Sequence, residues 1–301
     1  MNVSELNKEF SLDGVLEVDE EHHDFPFIKI NNQYASAVIS LYGGQVLSYV
    51  RSDAEDLLFL SDNAFYETGK AIKGGVPICW PWFGADPEGK GRPAHGFARN
   101  SLWQLESTEQ MKNGSTKLII SLLPNEASRK LFPYEFKLSL SVVVGKELAL
   151  ELTTNNTDDK PLPITQALHT YFSVNNIDDV AVKGLDGKAY LDKAKSNIGE
   201  ENKTQKGDIA FCGEVDRIYL DVPNDLKITQ KKSVKKVSIQ SRHNKTAVVW
   251  NPWKELCEQS ADLKPDDYKR FICVETANAA DDVITVMPGD VFSLGVTYSI
   301  V

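Results

Sequence analysis

The sequence predicts an all-β protein, a large antiparallel β-sandwich with a few short helices. Three observations carry this. Apolar and polar residues alternate in segment after segment, as in FKLSLSVVV and ELALELTT, the period of a half-buried strand. Turn-forming residues separate these segments at intervals of about ten residues. Runs with a long 3.6-residue apolar period are missing, which leaves little room for packed helices.

The strands follow in order. ASAVISLYGGQVLSYV (35–50) holds two β-rich halves around Gly43-Gly44, a turn or bulge signal. TKLIISLL (116–123), FKLSLSVVV (136–144) and ELALELTT (147–154) come next, the last two joined by Gly145-Lys146 as a two-residue hairpin turn. Further strands are predicted at 179–185, 217–222, 235–241, 246–251, 271–276 and 291–300, the last entered from the turn residues PGD. NEASRKLF (125–132) and KELCEQSA (254–261) each suit a short helix. The polar stretch 192–208 reads as a long surface loop. With no repeat and no low-complexity linker, the whole chain, 1–301, reads as one domain.

Composition narrows the function. The formal net charge is −10, from 33 basic and 43 acidic residues, which argues against binding a nucleic-acid backbone. It leaves room for a local cationic pocket. Cys79, Cys212, Cys257 and Cys273 form no CxxC pair and no ligand spacing with histidine, so they read as reduced thiols with no metal among them. The opening MNVSELNKEFSLDG lacks the basic and apolar regions of a signal peptide, and no apolar run approaches the roughly 20 residues of a membrane span. The expectation is a cytoplasmic protein without nucleic-acid or membrane partners, working as a monomer.

Among the five histidines, His22 and His23 lie in acidic EVDEEHHD and read as a solvated segment, and His243 in SRHNK as a turn residue. His169 differs. In PITQALHTYFSV, alternation puts it on one face with Ala167 and Tyr171, and Leu168 and Thr170 on the other. Such a histidine is either a hydrogen-bonded core residue or a proton-transfer group in a cleft. Glu275 interrupts the apolar run FICVETAN. A carboxylate there needs a partner or a raised pKa, which is compatible with a strand-end ion pair or a general base.

Residues 73–99, KGGVPICWPWFGADPEGKGRPAHGFAR, crowd Trp80, Trp82 and Phe83 among prolines and glycines. Two readings stand: a rigid sugar- or base-stacking loop, or an aromatic plug on a sandwich edge. Gly74-Gly75 lets backbone approach a ligand closely, and Lys73 and Arg99 suit an anion. Phosphate-binding glycine loops, HExxH-type metal motifs and GxSxG elbows do not occur. A glycosidase's paired carboxylates stay open, because they need not be close in sequence.

Taken in order, GGVPICWPWFG (74–84), PAHGFARNSLWQL (93–105), PLPITQALHTYF (161–172), EVDRIYL (214–220) and FICVETAN (271–278) resemble the aldose 1-epimerase superfamily, and most of all its glucose-6-phosphate 1-epimerase (hexose-6-phosphate mutarotase) branch. The resemblance spans about residues 25–300. It implies a galactose mutarotase-like supersandwich and an isomerase that interconverts the α and β anomers of a phosphorylated hexose without cofactor or metal. It also implies His169 as general acid and Glu275 as general base, with Lys73, His95, Arg99 and Asp216 binding substrate, Arg99 on the phosphate. The family often has arginine where this chain has Lys73, which keeps the charge without the bidentate fork. An ionised Glu275 beside a protonated His169 is expected, each charge favouring the other. The alternatives are an epimerase of unphosphorylated sugars such as galactose and a non-catalytic carbohydrate-binding protein.

Overall fold

Two eight-stranded antiparallel sheets dominate the computed structural model, which describes residues 2–22, 25–194, 203–231, 233–234 and 236–301. The first runs, from edge to edge, through Val180–Lys183, Asp225–Gln230, Val237–Arg242, Val291–Ile300, Leu148–Asn156, Phe136–Val144, Thr116–Leu122 and Gln104–Gln110. The second runs through Lys203–Thr204, Ala189–Asp192, Val215–Leu220, Thr246–Asn251, Phe271–Asn278, Gln166–Leu168 and Ile78–Cys79, with Tyr171–Ser173 also pairing to Phe271–Asn278. A four-stranded sheet, Leu16–His22 to Gln45–Arg51, covers an N-terminal part of the chain. The all-β class is as the alternation predicts.

Alternation decides which face meets the core. In Phe136–Val144 every second residue, from Phe136 to Val144, is buried. Leu138, Leu140, Leu152 and Val296 of the first sheet share one apolar cluster with Leu168, Phe172, Ile272 and Val274 of the second. Thr170 Oγ1 and Tyr298 Oη, 2.5 Å apart, join the sheets across that core. All of Phe271–Asn278 is buried, so this strand is covered on both faces, and its aromatic and β-branched residues suit that position.

Both predicted helices form, as Glu126–Leu131 and Trp253–Gln259. A third, Val3–Phe10, carries an Asn2–Glu5 capping box, a signal the apolar period alone does not show. The hairpin after Val144 differs from expectation. Val144 pairs with Leu148 and Gly145 N–H donates to Glu147 O at 3.0 Å, so the connection has three residues, 145–147. The expected loop 192–208 contains a short strand, Lys203–Thr204, which pairs with Ala189–Asp192; residues 195–202 lie outside the described residues, as does His23. His243 is the expected turn residue, at φ 63°. Among the described residues no helix is long and apolar enough to cross a membrane.

Candidate active site

The outer face of the second sheet gathers the singled-out residues into rows, and strand register sets each row. Asp216 pairs with Trp250, Trp250 with Cys273, and Cys273 with Tyr171. One step along, Ile218 pairs with Val248 and Val248 with Glu275. His169 stands between the Leu168–Thr276 and Tyr171–Cys273 pairs, which puts it beside Glu275. The third row is Ala277, Ala167 and Cys79, small side chains that form the floor.

His169 Nε2 lies 3.3 Å from Glu275 Oε1, and both residues are buried, 8% and 2% exposed. Tyr171 stacks on the imidazole at 5.0 Å between centroids, Trp250 meets it edge-on at 6.0 Å, and His95 at 5.8 Å. Two contacts hold this segment in place: Thr170, on the opposite face, reaches Tyr298 across the core, and the His169 backbone N–H donates to Pro77 O at 3.0 Å. His169 Nδ1 and Glu275 Oε2 are buried without a hydrogen-bond partner. Such groups cost about 1–3 kcal/mol each when left unpaired, and their concentration in one place marks a site built to take on polar partners.

The electrostatics differ from the sequence-based expectation. Burial pushes the Glu275 carboxyl well up, the Asp216 charge pushes it further, and Arg99 pulls it back. Burial also pushes the His169 imidazole well down, helped by His95, Arg99 and Lys73. At 3.3 Å the contact has ion-pair geometry, but desolvation outweighs mutual attraction in a place this dry. Burial therefore favours the neutral form of each group, and at this distance the two titrate as a coupled pair. Asp216 is raised from 3.8 to about 6, by burial first and then by Glu214 and Asp192.

His95 sits at φ 63°. Its Nδ1 accepts from Gly84 N–H at 3.3 Å, which assigns the proton to Nε2. Burial first, then Arg99 and Lys73, lowers its pKa to about 3. It is a neutral hydrogen-bond donor at physiological pH.

Residues 73–99 divide between the two readings. Trp80 and Trp82 are buried, at 0% and 3% exposure, and pack against Phe97 and Phe132. Trp80 Nε1 donates to Thr154 Oγ1 and Trp82 Nε1 to Pro93 O, each at 3.0 Å. These two rings are the plug. Phe83 alone of the three is half-buried, 4.9 Å from His95. Gly74 and Gly75 have positive φ, and a Cβ there would strike the backbone of Phe59 and Val46 respectively. Their freedom serves close packing of chain on chain rather than approach to a ligand.

Lys73 and Arg99 line a pocket of about 310 Å³ with Lys70, Tyr171 and Asp262. Arg99 Nη2 donates to Ala94 O at 3.0 Å, while its buried Nε has no partner. Lys73 Nζ lies 3.3 Å from Asp262 Oδ2. A larger groove of about 720 Å³ runs past Trp82 and Tyr134, yet its cations Lys90, Arg92, Arg129 and Lys130 are already paired with carboxylates. Neither His169 nor Glu275 lines it. Among the described residues no cluster of histidine, cysteine and carboxylate suits a metal ion.

Sequence reasoning missed Trp250, Lys70 and Asp262. Trp250 shares an alternation face with Val248 in TAVVWN, but only register places it opposite Asp216. Asp262 sits on the irregular segment after Trp253–Gln259 and has no periodic signal.

Residues 26–299 match the family described as aldose 1-epimerase. A protein of Cenchrus ciliaris named "Putative glucose-6-phosphate 1-epimerase" is 38% identical over 263 residues, covering 84% of this chain and 78% of its own. One of the same name from Escherichia coli (strain K12) is 36% identical, covering 86% and 85%. The crystal structure of "a putative mutarotase (YeaD)" from Salmonella typhimurium superposes with a TM-score of 0.89 at 33% identity, covering 97% of this chain and 95% of that one. With the galactose mutarotase-like fold and a family match across nearly its whole length, this chain belongs to the aldose 1-epimerase family of isomerases.

Proposed function

We propose that the chain is a hexose-6-phosphate 1-epimerase, acting on glucose 6-phosphate or a close relative. One observation carries the reading: the buried His169–Glu275 contact adjoins, through Tyr171, a pocket lined by Lys70, Lys73 and Arg99. The pair suits proton transfer, and the pocket suits a phosphate.

The placement also supports an assignment of the roles. In a hexose 6-phosphate the phosphate-bearing carbon is bonded to C5, C5 to the ring oxygen, and the ring oxygen to C1. The group nearer the phosphate pocket therefore faces the ring oxygen. Tyr171 belongs both to the pocket and to the His169 stack, so His169 serves the ring oxygen and Glu275 the C1 hydroxyl. Ring opening moves the C1 hydroxyl proton to Glu275. The C1–O5 bond breaks with its electron pair on O5, and O5 takes a proton from His169. The C1–C2 bond then turns, and the same transfers run backwards on the other carbonyl face. Opening converts ionised Glu275 and protonated His169 into the neutral pair that burial favours. The charged pair is reached from the neutral one by moving a single proton along the 3.3 Å contact. Neutral His95 donates a hydrogen bond to the sugar, and Asp216 accepts from its hydroxyls.

The same reading has the enzyme working as a cytoplasmic monomer, with residues 1–301 as one domain, in keeping with the unbroken match over 26–299. A polarimetric or coupled anomerisation assay on glucose 6-phosphate, galactose 6-phosphate, glucose and galactose tests the substrate class. The expected order of kcat/KM puts both phosphates above both free sugars. Equal or reversed values point to an aldose epimerase of unphosphorylated sugars instead.

A further inference from the structure

Of the three cations in the anion pocket, two are already engaged. Lys70 Nζ lies 2.8 Å from Glu67 and Lys73 Nζ 3.3 Å from Asp262, while Arg99 has a buried Nε without a partner. Lys73 and Asp262 are each only about one-fifth exposed, and both line the pocket. A phosphate entering it meets a carboxylate that holds one of its own ligands. Asp262 is not free to follow Lys73. Its segment is anchored by Lys264 to Asp62 at 2.6 Å, by Asn63 Nδ2 to Leu263 O at 3.4 Å and by Cys257 Sγ to Lys264 O at 3.1 Å. Lys73 sits on a flexible four-carbon stem and exchanges one anion for another in a single step, whereas a bidentate arginine would be held by two bonds.

We propose that Asp262 is the counter-ion the substrate's phosphate displaces from Lys73, so that the enzyme sets its affinity for phosphorylated hexoses by competition between two anions for one ammonium. This rests on the reading of the pocket as a phosphate site. In that role Asp262 is a specificity residue that weakens binding. It holds the ammonium in the pocket mouth, keeps the empty pocket from gripping stray anions, and hastens release of the product.

The test measures inhibition of glucose 6-phosphate anomerisation by inorganic phosphate, and its Kd by calorimetry, in wild type, Asp262→Asn and Arg99→Ala. Asp262→Ser serves as a second neutral variant should the amide disturb the segment. Removing one partly exposed like charge is expected to tighten phosphate and lower the KM for glucose 6-phosphate by about three- to tenfold. Unchanged or weakened phosphate binding in both Asp262 variants, with Arg99→Ala still weakening it, overturns the inference and makes Asp262 a positioning residue for Lys73. Phosphate that fails to inhibit wild type, with Arg99→Ala without effect on the KM for glucose 6-phosphate, overturns the phosphate reading itself.

Discussion

Replacing Asp216 by asparagine should make the protein more stable and a worse enzyme. Asp216 lies half-buried opposite Trp250, and burial with Glu214 and Asp192 lifts it from 3.8 to about 6. That interval is about 2.2 pH units, and each unit is worth about 1.4 kcal/mol. The ionised side chain thus opposes folding by at most about 3 kcal/mol. Screening at a site still in part open to solvent brings the expectation to about 1–2 kcal/mol. The sign follows from linkage. A carboxyl with a raised folded pKa prefers its neutral form in the native state, so its favourable share is complete below pH 3.8, is lost as pH rises to about 6, and stays lost above. The asparagine side chain has no charge to lose. Urea unfolding at pH 8 should therefore show the variant ahead of wild type by about 1–2 kcal/mol, with about half that advantage at pH 5. Removing the Asp216 charge also removes a force that raises Glu275. The alkaline limb of the pH–rate profile, where the coupled pair loses a proton, should move to lower pH, and the KM should rise. Equal or lower stability of the variant at pH 8, or an advantage that does not shrink towards pH 5, would refute the account of this site as desolvated and self-repelling.

Glu275→Gln and His169→Asn should each lower kcat for anomerisation by about 10²–10⁴-fold with the circular-dichroism spectrum unchanged; near-normal polarimetric rates in either would end the acid–base assignment. Arg99→Ala should raise the KM for glucose 6-phosphate at least about tenfold, the scale of a lost charged hydrogen bond, and that for glucose far less; equal effects would remove Arg99 from the phosphate. Trp80→Ala should cost about 3–5 kcal/mol in urea unfolding, since Trp80 is fully buried against Phe97, Phe132 and Phe136; a loss below about 1 kcal/mol would mean that the ring faces a cleft after all.

How much of this the sequence shows depends on whether a feature is local. Alternation is local, so the strands from 116 to 156 and from 246 to 300 can be read directly. His169 and Glu275 stand out because each interrupts an otherwise apolar or small run, and the cost of burying such a group is a property of the residue itself. Register is not local. That Asp216 meets Trp250, or that Cys273 pairs with Tyr171, depends on pairings between segments far apart in the chain. The aromatic run of residues 80–83 shows the limit from another side. A ring that binds a sugar and a ring that fills a core have the same composition, and only the surrounding Phe97, Phe132 and Phe136 decide for Trp80. The charge states could not be read either, because desolvation is set by what closes over a residue.

The strand Val291–Ile300 bears on how this protein is made. It lies in the middle of the first sheet, between Val237–Arg242 and Leu148–Asn156, and it carries Tyr298, the hydroxyl that holds Thr170 beside the histidine. In chain order the four strands between Gln104 and Asn156, and the three strands Val180–Lys183, Asp225–Gln230 and Val237–Arg242, all precede it, so during synthesis the edges at Leu148–Asn156 and Val237–Arg242 lack this partner until it leaves the ribosome. Open edges are where chains stick to one another. The nascent enzyme is therefore most exposed to aggregation just before it can become active, and anything that guards those two edges in that interval should raise the yield of active enzyme.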